Sequence, residues 1–225
     1  MRQRLFGGLE TCGQAVVAAA ATLAKAALVG LPLLIGGATS QAQTLAALPS
    51  APPAVEKAGP AKPVLAWLKF CDEFPAECAV DTAEPAFVTL TQDTWNTIVS
   101  VNRNVNRRIK PVTDKAHWGL VDRWEFPDDG MGDCEDFQLL KRKLLVERGL
   151  PRRALRMTVV IDEIGEGHAV LMVRTDRGDF VLDNKIQGVV PWNQTGYVFV
   201  KREGQDSTAW VALGNLASPT TTANR

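Results

Sequence analysis

The sequence predicts an α+β domain in which helices pack on an antiparallel β-sheet. Two observations carry that prediction. Apolar residues recur at helical spacing through residues 92–109 and again after residue 134, and from residue 155 the period becomes that of strands broken by short turns. Helices that come first and strands that follow in series segregate into layers, which is the α+β arrangement.

The 225 residues divide into four stretches. Residues 1–42 read as a secretory signal peptide. Arg2 and Arg4 give the positive start, an apolar run extends from Ala26 to Ile35, and Ser40-Gln41-Ala42 offers small residues at the cleavage positions. Lys25 and Pro32 interrupt the run, leaving fewer than the roughly 20 apolar residues that span a bilayer. Cleavage near Ala42 is expected, giving a periplasmic or secreted protein with no stable membrane insertion. Residues 43–63, with Pro49, Pro52, Pro53, Pro60 and Pro63, read as an extended Ala/Pro-rich linker. The folded domain is expected over 64–213, and the small, polar residues 214–225 as a flexible tail.

Inside the domain, Thr91 is placed to cap a helix over 92–109 whose inward face carries Trp95, Ile98, Val99, Val105 and Ile109; Pro111 stops it. A loop with Pro127, Gly130 and Gly132 leads to a second helix starting at Asp133 or Cys134. Phe137, Leu140 and Leu144 form its inward stripe, Lys141, Arg142 and Lys143 read as solvated, and Gly149 and Pro151 end it. Strands follow at 155–161, 168–175 and 180–183, joined by a loop at 163–167 and a turn at 176–179, with two more at 197–201 and 209–213.

Lys plus Arg equal Asp plus Glu at 25 each. That neutrality supplies no basic field to draw nucleic acid and no polybasic membrane patch. Losing Arg2, Arg4 and Lys25 against Glu10 with the leader leaves 22 basic and 24 acidic residues, a mildly acidic protein. Export also decides how the cysteines read. Cys12 leaves with the leader, and Cys71 and Cys78, separated by a segment that Pro75 bends back, most simply form a short-loop disulfide in an oxidising compartment. Such a loop contributes ~2–3 kcal/mol in the chain-entropy picture. Cys134 is left without a partner, and an odd thiol in an exported protein asks for a use.

Cys134 stands where a glycine-containing loop meets a helix, so unpaired N–H groups there stabilise a thiolate and can hold an oxyanion. A cysteine nucleophile needs a base and a group that orients the base. Of the two histidines, His117 lies among polar loop residues and reads as a surface side chain, whereas His168 opens an apolar strand. Asp183 closes the next strand. A turn at 175–176 would set Asp183 opposite His168, while a tight turn at 177–178 would offset them by four residues, ~13 Å, so the pairing is expected to need a wider turn or a bulge. Taken singly, each residue has a plainer structural reading: Cys134 as a small buried side chain, His168 as a satisfied strand histidine, Asp183 as a turn former.

Three blocks resolve this: Gly132-Asp133-Cys134-Glu135-Asp136-Phe137, Gly167-His168-Ala169-Val170-Leu171, and Gly178-Asp179-Phe180-Val181-Leu182-Asp183-Asn184. In order, spacing and flanks, with Trp124, Pro127 and Pro191-Trp192 in step, they resemble the active-site blocks of the bacterial transglutaminase-like cysteine proteinases, over residues 64–213. The resemblance implies a papain-like, transglutaminase-like fold with a catalytic triad in which Cys134 is nucleophile, His168 general base and acid, and Asp183 the orienting carboxylate. It further implies an exported endopeptidase acting on a protein substrate such as a biofilm adhesin, with an inner-membrane cyclic-di-GMP receptor as a partner that sequesters it.

Asp128, Asp129, Asp133, Glu135 and Asp136 crowd the thiol in sequence. Like charges suppress a thiolate, and a bound divalent cation would remove the conflict; carboxylate oxygens suit calcium. The resemblance places calcium on Asp133, Glu135 and Asp136, although Asp133 and Glu135 could instead complement the helix dipole. Two other outcomes share the same residues: transglutaminase-type transfer to an amine, since the thioester step is common to both, and a non-catalytic calcium- or partner-binding module with Trp95, Trp118, Trp124 and Trp192 lining a groove. A structural zinc site lacks the paired close ligands it needs. Asn102, Asn106 and Trp124 are candidates for a second oxyanion donor.

Overall fold

Near-continuous apolar runs along the strands between residues 155 and 182 give the molecule a sheet with two buried faces. The computed structural model describes residues 47–52 and 59–213; the expected leader and tail, and part of the linker, lie outside the described residues. In chain order the elements are β1 (Gly59–Ala61), α1 (Leu65–Glu73), α2 (Pro75–Cys78), α3 (Gln92–Arg108), β2 (Lys110–Pro111), α4 (Asp114–His117), β3 (Met131–Gly132), α5 (Cys134–Glu147), β4 (Leu155–Ile161), β5 (Gly167–Thr175), β6 (Gly178–Leu182), β7 (Val190–Pro191), β8 (Val198–Glu203) and β9 (Trp210–Ala212). Seven strands form one antiparallel sheet in the order β1-β9-β8-β4-β5-β6-β7. No helix among the described residues is long and apolar enough to cross a membrane.

One sheet face presents Leu155, Met157, Leu171, Val173, Phe180 and Leu182 to the helices; the other buries Val160, Val170, Met172, Val181 and Phe199 beneath Trp192 and Tyr197. Ile98, Val101 and Val105 of α3 are at most 2% exposed, and each contributes about 1.5–3 kcal/mol relative to an exposed position. Thr91 caps α3 as expected, its Oγ1 accepting the Thr94 N–H at 3.2 Å. The disulfide between Cys71 and Cys78 ties the end of α1 to α2.

Four details depart from expectation. The sheet recruits Gly59–Ala61 from the linker as β1, paired with β9, and Ala51 N–H bonds to Arg177 O at 2.8 Å, so packed structure begins before residue 64. Lys141 and Arg142 are buried rather than solvated, because α5 lies between the sheet and α3: Arg142 Nη1 meets Glu203 Oε2 at 2.7 Å, and Lys141 Nζ meets Gln138 Oε1 at 3.1 Å. Leu140 and Leu144, only half-buried, line the cleft toward Val101 and Val105 of α3. The β5–β6 hairpin turns through Asp176-Arg177 alone, with Thr175 opposite Gly178.

Candidate active site

Cys134 begins α5, and the loop before it is shaped to let the helix start there. A side chain at Gly132 would stand 2.7 Å from Asp136 Oδ2, so only glycine lets the backbone pass this close. Asp136 then binds the loop with both oxygens, accepting Asp133 N–H at 3.2 Å and Glu125 N–H at 2.9 Å. The sulfur is fully buried. Its S–H is 3.0 Å from Glu135 Oε2, and it accepts the Ala169 N–H at 3.4 Å.

That last contact is a consequence of sheet register. The final β5–β6 pair is Leu171 with Leu182, so β5 outruns its partner and residues 167–170 pair only with β4. The Ala169 amide, beyond the end of the ladder, finds the sulfur instead. Continuing the ladder by one residue would set Asp183 opposite Val170, two positions from His168 on the same face. Diagonal neighbours of this kind lie ~7–8 Å apart, within side-chain reach. The offset of two, between the zero and four weighed from the sequence, needs neither a wide turn nor a bulge in this hairpin. His168 Nε2 and Asp183 Oδ1 are 2.9 Å apart, both residues almost wholly buried, and His168 Nδ1 has no hydrogen-bond partner.

Asp183 is held from every side. Its Oδ1 also accepts the Lys185 N–H at 3.0 Å, its Oδ2 accepts the Tyr197 hydroxyl at 2.7 Å, and its carbonyl accepts Asn106 Nδ2 at 2.8 Å. Burial alone would raise this carboxyl; the hydrogen bonds from His168 and Tyr197 outweigh it and hold the group below the usual carboxylate range. The Cys134 thiol goes the other way, pushed well up by burial and then by Glu135 and Asp133.

The carboxylates beside the sulfur form a nest larger than the sequence motif. Single oxygens of Asp114, Asp133 and Asp136 lie within 4.8 Å of one another, as do those of Asp114, Asp122 and Glu135. Burial, with mutual repulsion, pushes Asp114 up to about 6, Asp133 to about 7 and Asp136 to about 9, and Glu135 well above its ordinary value. Asp114 Oδ1 and Asp133 Oδ1 are buried without hydrogen-bond partners. Orphaned, crowded carboxylate oxygens are what a hard divalent cation requires. Asp133, Glu135 and Asp136 each belong to such a group, joined by Asp114 and Asp122, which lie outside the motif. Asp128 and Asp129 are exposed; Asp129 instead accepts His117 Nε2 at 2.8 Å.

Residues 57–218 match the model of the family described as bacterial transglutaminase-like cysteine proteinase. The chain belongs to that family. The proteinase also resembles solved forms of Legionella pneumophila LapG. Its likeness to the calcium-bound form covers 57% of this chain and 75% of that one, at 24% identity and a TM-score of 0.45. Its likeness to the EGTA-treated form covers 72% and 92%, at 21% identity and a TM-score of 0.42. No curated protein matches the chain.

Other side chains of the proteinase fall into place around this centre. Asn102 and Asn106, considered as oxyanion donors, spend their amide N–H groups on the carbonyls of Asp183, Ile186 and Gln187, so α3 braces the loop behind Asp183. Trp124 is buried with Nε1 unpaired and packs edge-on to Trp210. The His117 side chain is largely covered, hydrogen-bonded to Asp129 and stacked on Trp118 at 4.0 Å, rather than a free surface histidine. Sequence reasoning missed Asp114, Asp122 and Tyr197, which lie outside the three motif blocks.

Proposed function

We propose that this cysteine peptidase is exported and cuts an exported protein through a triad of Cys134, His168 and Asp183. One observation supports the reading above others: a buried imidazole, bonded through Nε2 to a depressed carboxylate, lies next to the residue whose amide touches a buried helix-start thiol. In this mechanism His168 Nδ1 takes the thiol proton, and the sulfur attacks the scissile carbonyl. N–H groups at the start of α5 meet the developing oxyanion. His168 then protonates the leaving amine, and a water deprotonated by the same nitrogen hydrolyses the thioester. Asp183 stays ionised and keeps Nε2 protonated, as the orienting acid of such triads does.

Calcium is the cation this reading assigns to the nest of Asp114, Asp133, Glu135 and Asp136. It would supply positive charge beside the thiol, offsetting the carboxylates that suppress the thiolate. The sequence resemblance extends the reading to a periplasmic enzyme whose substrate is a large surface adhesin and whose partner is an inner-membrane cyclic-di-GMP receptor. The test compares protein N-termini among exported proteins from cells carrying the wild type or Cys134→Ala. New termini confined to one or a few surface proteins in the wild type are expected; identical termini in both would overturn the reading.

A further inference from the structure

Tyr197 is the chain's single tyrosine. It follows Gly196, whose φ of +76° swings the chain from the 3-10 turn Trp192–Gln194 into β8. Thr195 fixes this approach: its Oγ1 donates to Trp192 O at 2.9 Å and accepts the Tyr197 N–H at 3.2 Å. The ring packs against the sheet face formed by Val160, Val170 and Met172. It stands edge-on to His168, centroids 5.7 Å apart and planes at 80°, while its hydroxyl donates to Asp183 Oδ2 at 2.7 Å.

We infer that Tyr197 is a positioning residue of the proteinase, fixing the plane of the Asp183 carboxylate and bracing the His168 ring. The inference rests on the reading that Cys134, His168 and Asp183 act together. A carboxylate anchored through one oxygen can still rotate about its Cβ–Cγ bond, and Oδ1 carries both His168 and the Lys185 amide. Tyr197 anchors the other oxygen, so it steadies the plane without competing for the atom that holds the imidazole. Burial and then Asp183 raise the phenol above its ordinary pKa, so it remains a donor wherever the enzyme works.

The test uses the purified full chain with iodoacetamide as probe, read on the Cys134 peptide, together with the downfield proton resonance of the His168 Nε2–H. In the wild type that resonance is expected, and His168→Ala is expected to remove it and slow alkylation. In Tyr197→Phe, which keeps the ring, the resonance should shift and broaden and alkylation should slow on the order of tenfold, in a protein that still unfolds cooperatively. A Tyr197→Phe protein identical to wild type in both readouts, while His168→Ala loses both, overturns the role of Tyr197 and leaves the triad standing. Unchanged alkylation in His168→Ala would instead sink the triad and this inference with it. Should Tyr197→Phe fail to fold, 3-fluorotyrosine incorporation gives one ¹⁹F signal at this site. Asp183→Asn must then move it, and a signal that stays in place contradicts the inference.

Discussion

Asp114 lies 20 residues before Cys134 in sequence, yet its carboxylate shares a buried nest with Asp133, Glu135 and Asp136. Its backbone N–H bonds to Asp133 Oδ2 at 3.1 Å, and its own Oδ2 accepts the Arg123 N–H, so the loop between them is shaped around carboxylates. Cation binding should therefore couple to folding. Calcium is expected to raise the melting temperature of the wild type, by about 2.7 kcal/mol of stability at a hundredfold excess over Kd, and Asp114→Asn should remove most of that gain. A wild type indifferent to both calcium and EGTA would contradict the assignment. The residues beside the thiol were legible in the sequence because the motif itself holds them. Asp114 and Tyr197 were not, since one opens the short helix α4 and the other follows a turn, and the path of each depends on tertiary packing.

At the scale of elements, α5 carries both the site and the fold. Cys134, Gln138 and Lys141 share its inward face, and Gln138 Nε2 reaches Asn184 Oδ1 at 3.4 Å, beside Asp183. The run Lys141-Arg142-Lys143 read as solvated because three consecutive basic residues suit an exposed helix face. The neutralising group is Glu203 at the end of β8, which meets Arg142, accepts Trp67 Nε1 at 2.7 Å and accepts the Met157 N–H at 2.9 Å. Glu203→Gln leaves the Arg142 charge buried beside a neutral amide and should cost about 3 kcal/mol or more. Burial would raise Glu203, but Arg142 and Arg156 outweigh it and hold the folded carboxyl below its unfolded value of ~4.3. Its contribution is thus present above that value and lost as pH falls through the folded one. The melting-temperature gap between wild type and Glu203→Gln should be full at neutral pH and close in acid; a gap that persists undiminished at low pH would contradict this. Strand β4 was legible to the residue because its pattern is local, whereas the β5–β6 offset that sets Asp183 beside His168 depended on which two residues made the turn.

Over the whole molecule, the proposed catalytic residues stand where pairing in the sheet stops. β5 runs past β6, and the Ala169 amide, beyond the end of that pairing, donates to Cys134 Sγ at the start of α5, one residue along from His168. With Cys134 fully buried and His168 1% exposed, a polypeptide reaches the sulfur only after local opening at this end of the sheet. The two long helices and the later strands were readable because each declared its own period; α1, α2 and the short elements were not read, and the convergence of three blocks rested on the family resemblance. The claim that these side chains form one working unit is tested most directly by a double-mutant cycle on Cys134 alkylation. Rates are compared for the wild type, His168→Ala, Asp183→Ala and the double variant at neutral pH. Groups acting as a unit are grossly non-additive. Asp183→Ala should slow the reaction when His168 is present and have no further effect once His168 is alanine. Losses that multiply in the double variant, as for independent residues, would contradict the account.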